Sequence, residues 1–301
     1  MPQQRKIVFN EALHQYKDED NKVYTSVTTL IDKYKEKFDE NFWAKKKAEE
    51  LGTTPELIKQ NWKEIRDEAC NRGNETHKLL EDSINQANGK TTFDPTKVDR
   101  GSLGVGVIIV SKTNLHVLQA TPLAKKYPSI FAYLRKYIED GWTLFAEKRV
   151  YLAEFLVAGT IDVPLIKGNL FIIVDWKTNK DELKFEAGYY KKVSNIKTDT
   201  WIKTNKRLFH PISDLPDCKG ELYTIQLSMY AHILEEWGLK CVALVLFHIR
   251  PNMTPRPYNI TYRKLHCQRL LQHNLKGEST TSSTKFGIKP SNNNPNQFGI
   301  F

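Results

Sequence analysis

The chain has 301 residues, 40% of them hydrophobic, which suits one large domain or a core with an accessory lobe. No run approaches the roughly 18 apolar residues of a membrane span, and the N-terminal MPQQRKIVFNEALHQY has neither a secretory apolar segment nor the character of an organelle presequence. Lysine and arginine (45) exceed aspartate and glutamate (35) for a net charge of +10, which points to a polyanion partner, while the many acids exclude a histone-like chain. A partner other than a membrane is therefore expected, in the cytoplasm or another reducing compartment. Cys70, Cys218, Cys241 and Cys267 form no CxxC pair, a poor pattern for structural zinc or a disulfide framework.

In chain order, Ile7 to Tyr24 reads as a hairpin with a DEDN turn. Ser26 reads as the N-cap of a helix over VTTLIDKYKEKF. A second helix is expected from about Phe42 to Glu50, and a long one from Pro55 to about Asn85 with Gly73 as a break point. That helix puts His77 and Glu81 on one face, with Leu79, Leu80 and Ile84 available for a core. Residues 86–125 are weakly patterned and read as an insertion; their GSLGVG lacks the lysine and the strand–turn–helix setting of a phosphate loop.

PSIFAYLRKYIEDGW is an amphipathic helix ended by Gly141. The period then changes: TLFAEKRVYLAEFLVAGTIDVPLI reads as two strands, and GNLFIIVDWKT as a third entered through a Lys167-Gly168-Asn169 turn. The continuous FIIV run suits a strand covered on both faces. A basic insertion over about 179–220 precedes a helix, ELYTIQLSMYAHILEEWG, and a strand, CVALVLFHI. The order predicts a mixed sheet flanked by helices. The tail from 276 to 301 is rich in Ser, Thr, Asn and Pro, with no core-forming pattern apart from its final apolar residues.

The chemistry concentrates on Asp175 and Lys177. Two residues apart on a strand, they project to one side while Trp176 faces the other. Asp162 ends the preceding strand, so the hairpin can set both carboxylates at one sheet edge, where paired oxygens suit a hard divalent cation. The competing reading is a solvated hairpin with three charges. Glu147 and His77 could complete an oxygen and nitrogen shell, Mn²⁺ accepting the imidazole more readily than Mg²⁺. Glu81 is a candidate to support His77. Gln226 and Tyr230 share a helix face, suited either to a phosphate or sugar contact or to packing. In the basic insertion, Lys184, Lys191, Lys192, Lys197, Lys203, Lys206 and Arg207 alternate with Tyr189, Tyr190, Trp201 and Phe209. Cations between aromatic faces suit single-stranded nucleic acid, or else form a solvated lobe whose aromatics pack it.

The ordered set RGNETH, Glu147, AGTID, VDWKT and QLSMY resembles the PD-(D/E)XK nuclease superfamily, in particular its RecB-like exonuclease branch and phage-type relatives. The early HxY (His14 to Tyr16) and SVTTL segments are similar to those preceding mitochondrial genome-maintenance exonucleases, a weaker likeness. The resemblance implies an α/β restriction-endonuclease-like core over 71–275, with a central mixed sheet flanked by helices and a helical N-terminal region over 1–70. It implies hydrolysis of DNA with Mg²⁺ or Mn²⁺, on single-stranded or end-containing DNA, in replication, recombination or repair. His77, Asp162 and Asp175 would be metal ligands, Lys177 the catalytic lysine, Glu147 a further acidic site residue, and Gln226 and Tyr230 a DNA-contacting motif. Lys191, Lys192, Trp201, Lys206 and Arg207 are further contact candidates. Some RecB-like relatives carry an iron–sulfur cluster; the wide spacing of the late cysteines argues against one. The alternatives are an endonuclease or an inactive DNA-binding accessory module.

Overall fold

A computed structural model of the chain describes residues 7–10, 13, 15–87, 109–193 and 196–275. GSLGVG and the low-complexity tail lie outside the described residues, as does part of the insertion over 86–125.

The chain opens with three short strands, β1 (Val8–Asn10), β2 (Gln15–Lys17) and β3 (Val23–Ser26), followed by helices α1 (Val27–Asp32), α2 (Glu40–Leu51) and α3 (Pro55–Ala87). Then come β4 (Ile109–Val110), α4 (Leu115–Ala120), α5 (Pro122–Lys126) and α6 (Pro128–Glu139). A run of strands follows: β5 (Thr143–Phe145), β6 (Lys148–Leu152), β7 (Val157–Ile161), β8 (Val163–Lys167) and β9 (Leu170–Lys177). The remainder is β10 (Gly188–Val193), β11 (Ile196–Lys203), α7 (Lys219–Glu236), β12 (Lys240–His248), β13 (Arg256–Asn259) and α8 (Lys264–Leu275). This is a mixed α/β fold with central sheets flanked by helices. None of the described helices is long and apolar enough to cross a membrane.

Local chemistry sets several boundaries. Ser26 caps α1, its Oγ accepting the Thr29 N–H at 3.0 Å. The helix stops at Asp32, short of the expected Phe38, because Tyr34 turns into the core and its carbonyl accepts the Phe209 N–H at 2.7 Å. Gly73 does not break α3. A Cβ there would sit 3.2 Å from the Thr178 hydroxyl oxygen, so the glycine serves the close approach of helix to strand. Gly168, at φ +60°, turns β8 into β9 as expected.

The two expected strands over 143–166 are four, because the chain changes sheets twice. A six-stranded sheet runs β13-β12-β9-β8-β5-β4, and a five-stranded one runs β1-β2-β3-β7-β6. β7 and β8 are one extended run interrupted only at Asp162; β7 pairs with β6 in the smaller sheet, and β8 with β9 in the larger. The neighbouring run does the same between β5 and β6, where Ala146 and Glu147 intervene.

β12 is parallel to β9 after a crossover through α7, whereas β8 is antiparallel to it. Phe171 and Ile173 of β9 enter the core shared with α1, α7 and α8, while Ile172, Val174 and Trp176 enter the core under α3 to α6. Burial of both faces accounts for the unbroken FIIV run. The insertion after β9 carries an antiparallel hairpin, β10–β11, which is charged along its length and gave no alternating signal in the sequence.

Candidate metal centre

The two sheet changes put acids at one corner. Glu147 and Asp162 occupy the adjacent switch points, tied by a Glu147 N–H to Asp162 carbonyl bond of 2.8 Å. Glu147 has φ +48°, a left-handed conformation that costs a non-glycine residue about 1–2 kcal/mol. The approach of α3 to the end of β9 at Gly73 and Thr178 brings in His77, one turn further along the helix. Its Nδ1 lies 3.7 Å from Asp162 Oδ2. His77, Glu147 and Asp162 each offer a ligand atom within 4.8 Å of the others. Two carboxylates and an imidazole fit a divalent cation, and the half-exposed His77 leaves one side open to solvent.

Asp162 is held from behind. Its Oδ2 accepts the Trp176 N–H at 2.8 Å, so β9 orients the carboxylate while its own side chains alternate past it. Val163 pairs with Val174, which sets Asp162 and Asp175 at the next positions across the same ladder. Asp175 is not one of the three clustered ligands. Its carboxyl is buried and turned to Lys177, with Nζ at 2.6 Å from Oδ2. Burial raises the Asp175 carboxyl, and the Asp162 charge adds to this against the pull of Lys177, for a value of about 6. Burial depresses the Lys177 ammonium, but Asp175 and Asp162 outweigh it and the group stays above its ordinary value. The sequence reading made His77, Asp162 and Asp175 metal ligands, with Glu147 able to complete the shell; the structure clusters His77, Glu147 and Asp162 and sets the Asp175 carboxyl on the next strand against Lys177.

Gln226 Nε2 donates to the Tyr230 hydroxyl at 3.0 Å. Tyr230 is buried, its ring packed on Gly159 of β7, where a Cβ would meet the ring at 2.5 Å. Burial, with the charges of Asp175 and Asp162 nearby, pushes the phenol well above its ordinary range. The packing role weighed for Tyr230 is thus real, and it lies beside the acids. Glu81, a turn beyond His77, is outside the clustered ligands.

Several neighbours were not read from the sequence. The Tyr16 hydroxyl meets Thr160 Oγ1 at 3.0 Å, so the N-terminal hairpin reaches the AGTID strand. Tyr223 lies beside Lys177, with Nζ 4.8 Å from its ring centre. Its one signal was the spacing from Gln226 and Tyr230, three and seven residues on, along one helix face.

No family model matches the chain, and no curated protein matches it. Among solved structures, the one titled "Crystal structure of SSO0001" is 13% identical over 68% of this chain and 87% of that one, with a TM-score of 0.25, too weak a superposition to define the fold.

The β10–β11 hairpin carries Lys191, Lys192 and Trp201, and the two lysines are exposed. Trp201 is half-buried and packs edge-on against Tyr190, centroids 4.9 Å apart, with the Lys184 ammonium 5.9 Å from its ring. Of the insertion's aromatics, Tyr190 and Trp201 therefore pack on one another, while Phe209 stays exposed. Lys206 is paired within the chain, to Asp217 at 3.0 Å and Glu36 at 3.2 Å, and Arg207 donates to the Asp214 carbonyl at 3.0 Å. Of the contact candidates in this region, Lys191, Lys192 and Arg207 are exposed, while the Lys206 charge is met by two acids.

Proposed function

We propose that the chain is a metal-dependent nuclease of the PD-(D/E)XK type, of the RecB-like exonuclease branch, acting on single-stranded or end-containing DNA. The observation that carries this reading is the double sheet switch. It sets Glu147, Asp162 and His77 around one point, with the buried Asp175–Lys177 pair on the next strand. When bound, Mg²⁺ or Mn²⁺ supplies polarisation of a phosphate oxygen and a more acidic water.

The chain's own residues do the rest. Asp162, its carboxylate oriented by the Trp176 N–H, and Glu147, its backbone tied to Asp162, would hold the ion together with His77. Lys177 presents an ammonium to a phosphoryl oxygen or to the attacking water. Asp175 keeps that ammonium charged and in place. The net charge and the exposed hairpin lysines favour a polyanionic substrate. Exonuclease action rests on the motif resemblance.

The test is incubation of the chain, and of Asp162→Ala, with end-labelled single-stranded, linear duplex and closed circular DNA, with and without Mg²⁺ or Mn²⁺. Metal-dependent and end-dependent loss by the wild type alone is the expected result. Cutting of closed circles means an endonuclease, and binding without cutting means an accessory module.

A further inference from the structure

The approach of Tyr223 to Lys177 has a structural logic of its own. A lysine is a point charge on a flexible four-carbon stem, and its usefulness beside a reacting phosphate depends on where the ammonium is held. Lys177 is held at three points. Its carbonyl accepts the Ile249 N–H at 2.7 Å, which locks the strand end to the residue following β12. Its ammonium contacts Asp175 at 2.6 Å and lies 4.8 Å from the centre of the Tyr223 ring.

The ring is itself fixed. The Tyr223 hydroxyl donates to Asn179 Oδ1 at 2.9 Å, and Asn179, two residues beyond Lys177, has its carbonyl 2.9 Å from Nε2 of the buried His248. His248 is in register with Lys177 across the parallel β9–β12 pair. A closed loop of contacts thus runs from Lys177 through Tyr223, Asn179 and His248 back to the strand that carries Lys177.

We infer that Tyr223 is a positioning residue whose ring face holds the Lys177 ammonium toward the Asp162 corner. The inference rests on the nuclease reading for its kinetic consequence, but not for the placement itself. An ammonium over a ring face gains the quadrupole attraction while remaining available to an oxygen on its other side. With the ring removed, Asp175 alone directs the ammonium, and the stem samples other rotamers.

The test compares Tyr223→Leu with Tyr223→Phe in the full chain. The Leu variant is expected to lose roughly 2- to 30-fold in kcat with KM for DNA and the melting temperature little changed, whereas Phe, which keeps the ring, restores most of the rate. The Lys177 side-chain methylene resonances should show ring-current shifts in the wild type and in Tyr223→Phe, and lose them in Tyr223→Leu. Equal kcat for wild type and Leu, or unshifted Lys177 resonances in the wild type, overturns the inference. A lowered melting temperature and a raised KM together for Leu, without recovery by Phe, assign the ring a packing role and overturn the inference too. If the wild type cuts no DNA, the nuclease reading fails, while the resonances still decide the placement.

Discussion

Two aspartate–lysine pairs sit within one stretch of this chain in opposite surroundings. Asp175 and Lys177 are 2% and 14% exposed at the side chain, fixed by strand geometry at 2.6 Å. Asp181 and Lys197, joining the start of the insertion to the β10–β11 hairpin, are 50% and 42% exposed. In water, the second pair gains little and is screened by salt. The first is largely withdrawn from solvent, so its charges shift each other's proton affinity and stay where the backbone puts them. The difference teaches where to look for chemistry. A charged pair is informative when the fold has removed water from it and tied its strand to a ligand group, as the Trp176 N–H ties β9 to Asp162.

The largest effect expected is at the corner itself. Asp162→Ala should remove metal-dependent cleavage by more than the roughly 10- to 100-fold that outer-shell partners of a metal cost. It should also weaken Mn²⁺ binding measured by calorimetry. Unaltered Mn²⁺ affinity would show that the clustered ligands do not form the site. Next is the contrast between the pairs. Lys177→Met leaves Asp175 buried without its partner and should destabilise the fold by about 3 kcal/mol, the low end for breaking a buried pair because Asp175 can take up a proton. Lys197→Met should cost about 0.2–1 kcal/mol. Urea unfolding of the two variants reads both. Equal costs would erase the distinction drawn between them.

The sequence made much of this corner legible because short-range rules govern it. Strand alternation set Asp175 and Lys177 on one side and Trp176 on the other, as the two cores on opposite faces of β9 show. The unbroken apolar run told of a doubly covered strand, and Ser26 told of a helix start. The sheet switch was not legible. Nothing in AGTIDVP marks Asp162 as the point where a strand changes partners, so four strands read as two and the adjacency of Glu147 to Asp162 at paired switch points could not be read. Gly73 showed the converse error. A glycine in a helical pattern read as a break, when it marks the contact with Thr178 that brings His77 to the acids. In the insertion, lysines and aromatics suggested a nucleic-acid surface by composition. That Lys206 is taken up by two acids depends partly on Glu36, which only the tertiary fold brings near.

Gly159→Ala probes the packing that lies beneath the corner. The added methyl would meet the Tyr230 ring at 2.5 Å, and that opposing ring is itself buried. Overpacking of this kind costs about 1–3 kcal/mol, or roughly 2–10 °C in melting temperature for a domain of this size. Cleavage should fall as well, because Tyr230 carries its bond from Gln226 with it. A stable and fully active Gly159→Ala would mean that the Tyr230 face of α7 is not coupled to the acids.

The smallest effect sharpens the other side of the comparison. Lys191 and Lys192 are exposed, and exposed cations contribute to polyanion binding chiefly by releasing condensed counterions. Replacing both with alanine should leave the melting temperature and the saturated cleavage rate near wild type. It should weaken binding to single-stranded DNA, and make the slope of log affinity against log salt shallower by about 1.4, two phosphate contacts at roughly 0.7 each. A fluorescence anisotropy series over salt measures this. A shallower slope with unchanged saturated rate places the hairpin on the substrate's path and outside the chemistry. An unchanged slope returns Lys191 and Lys192 to the solvated surface, with the same standing as the Asp181–Lys197 pair that anchors their hairpin.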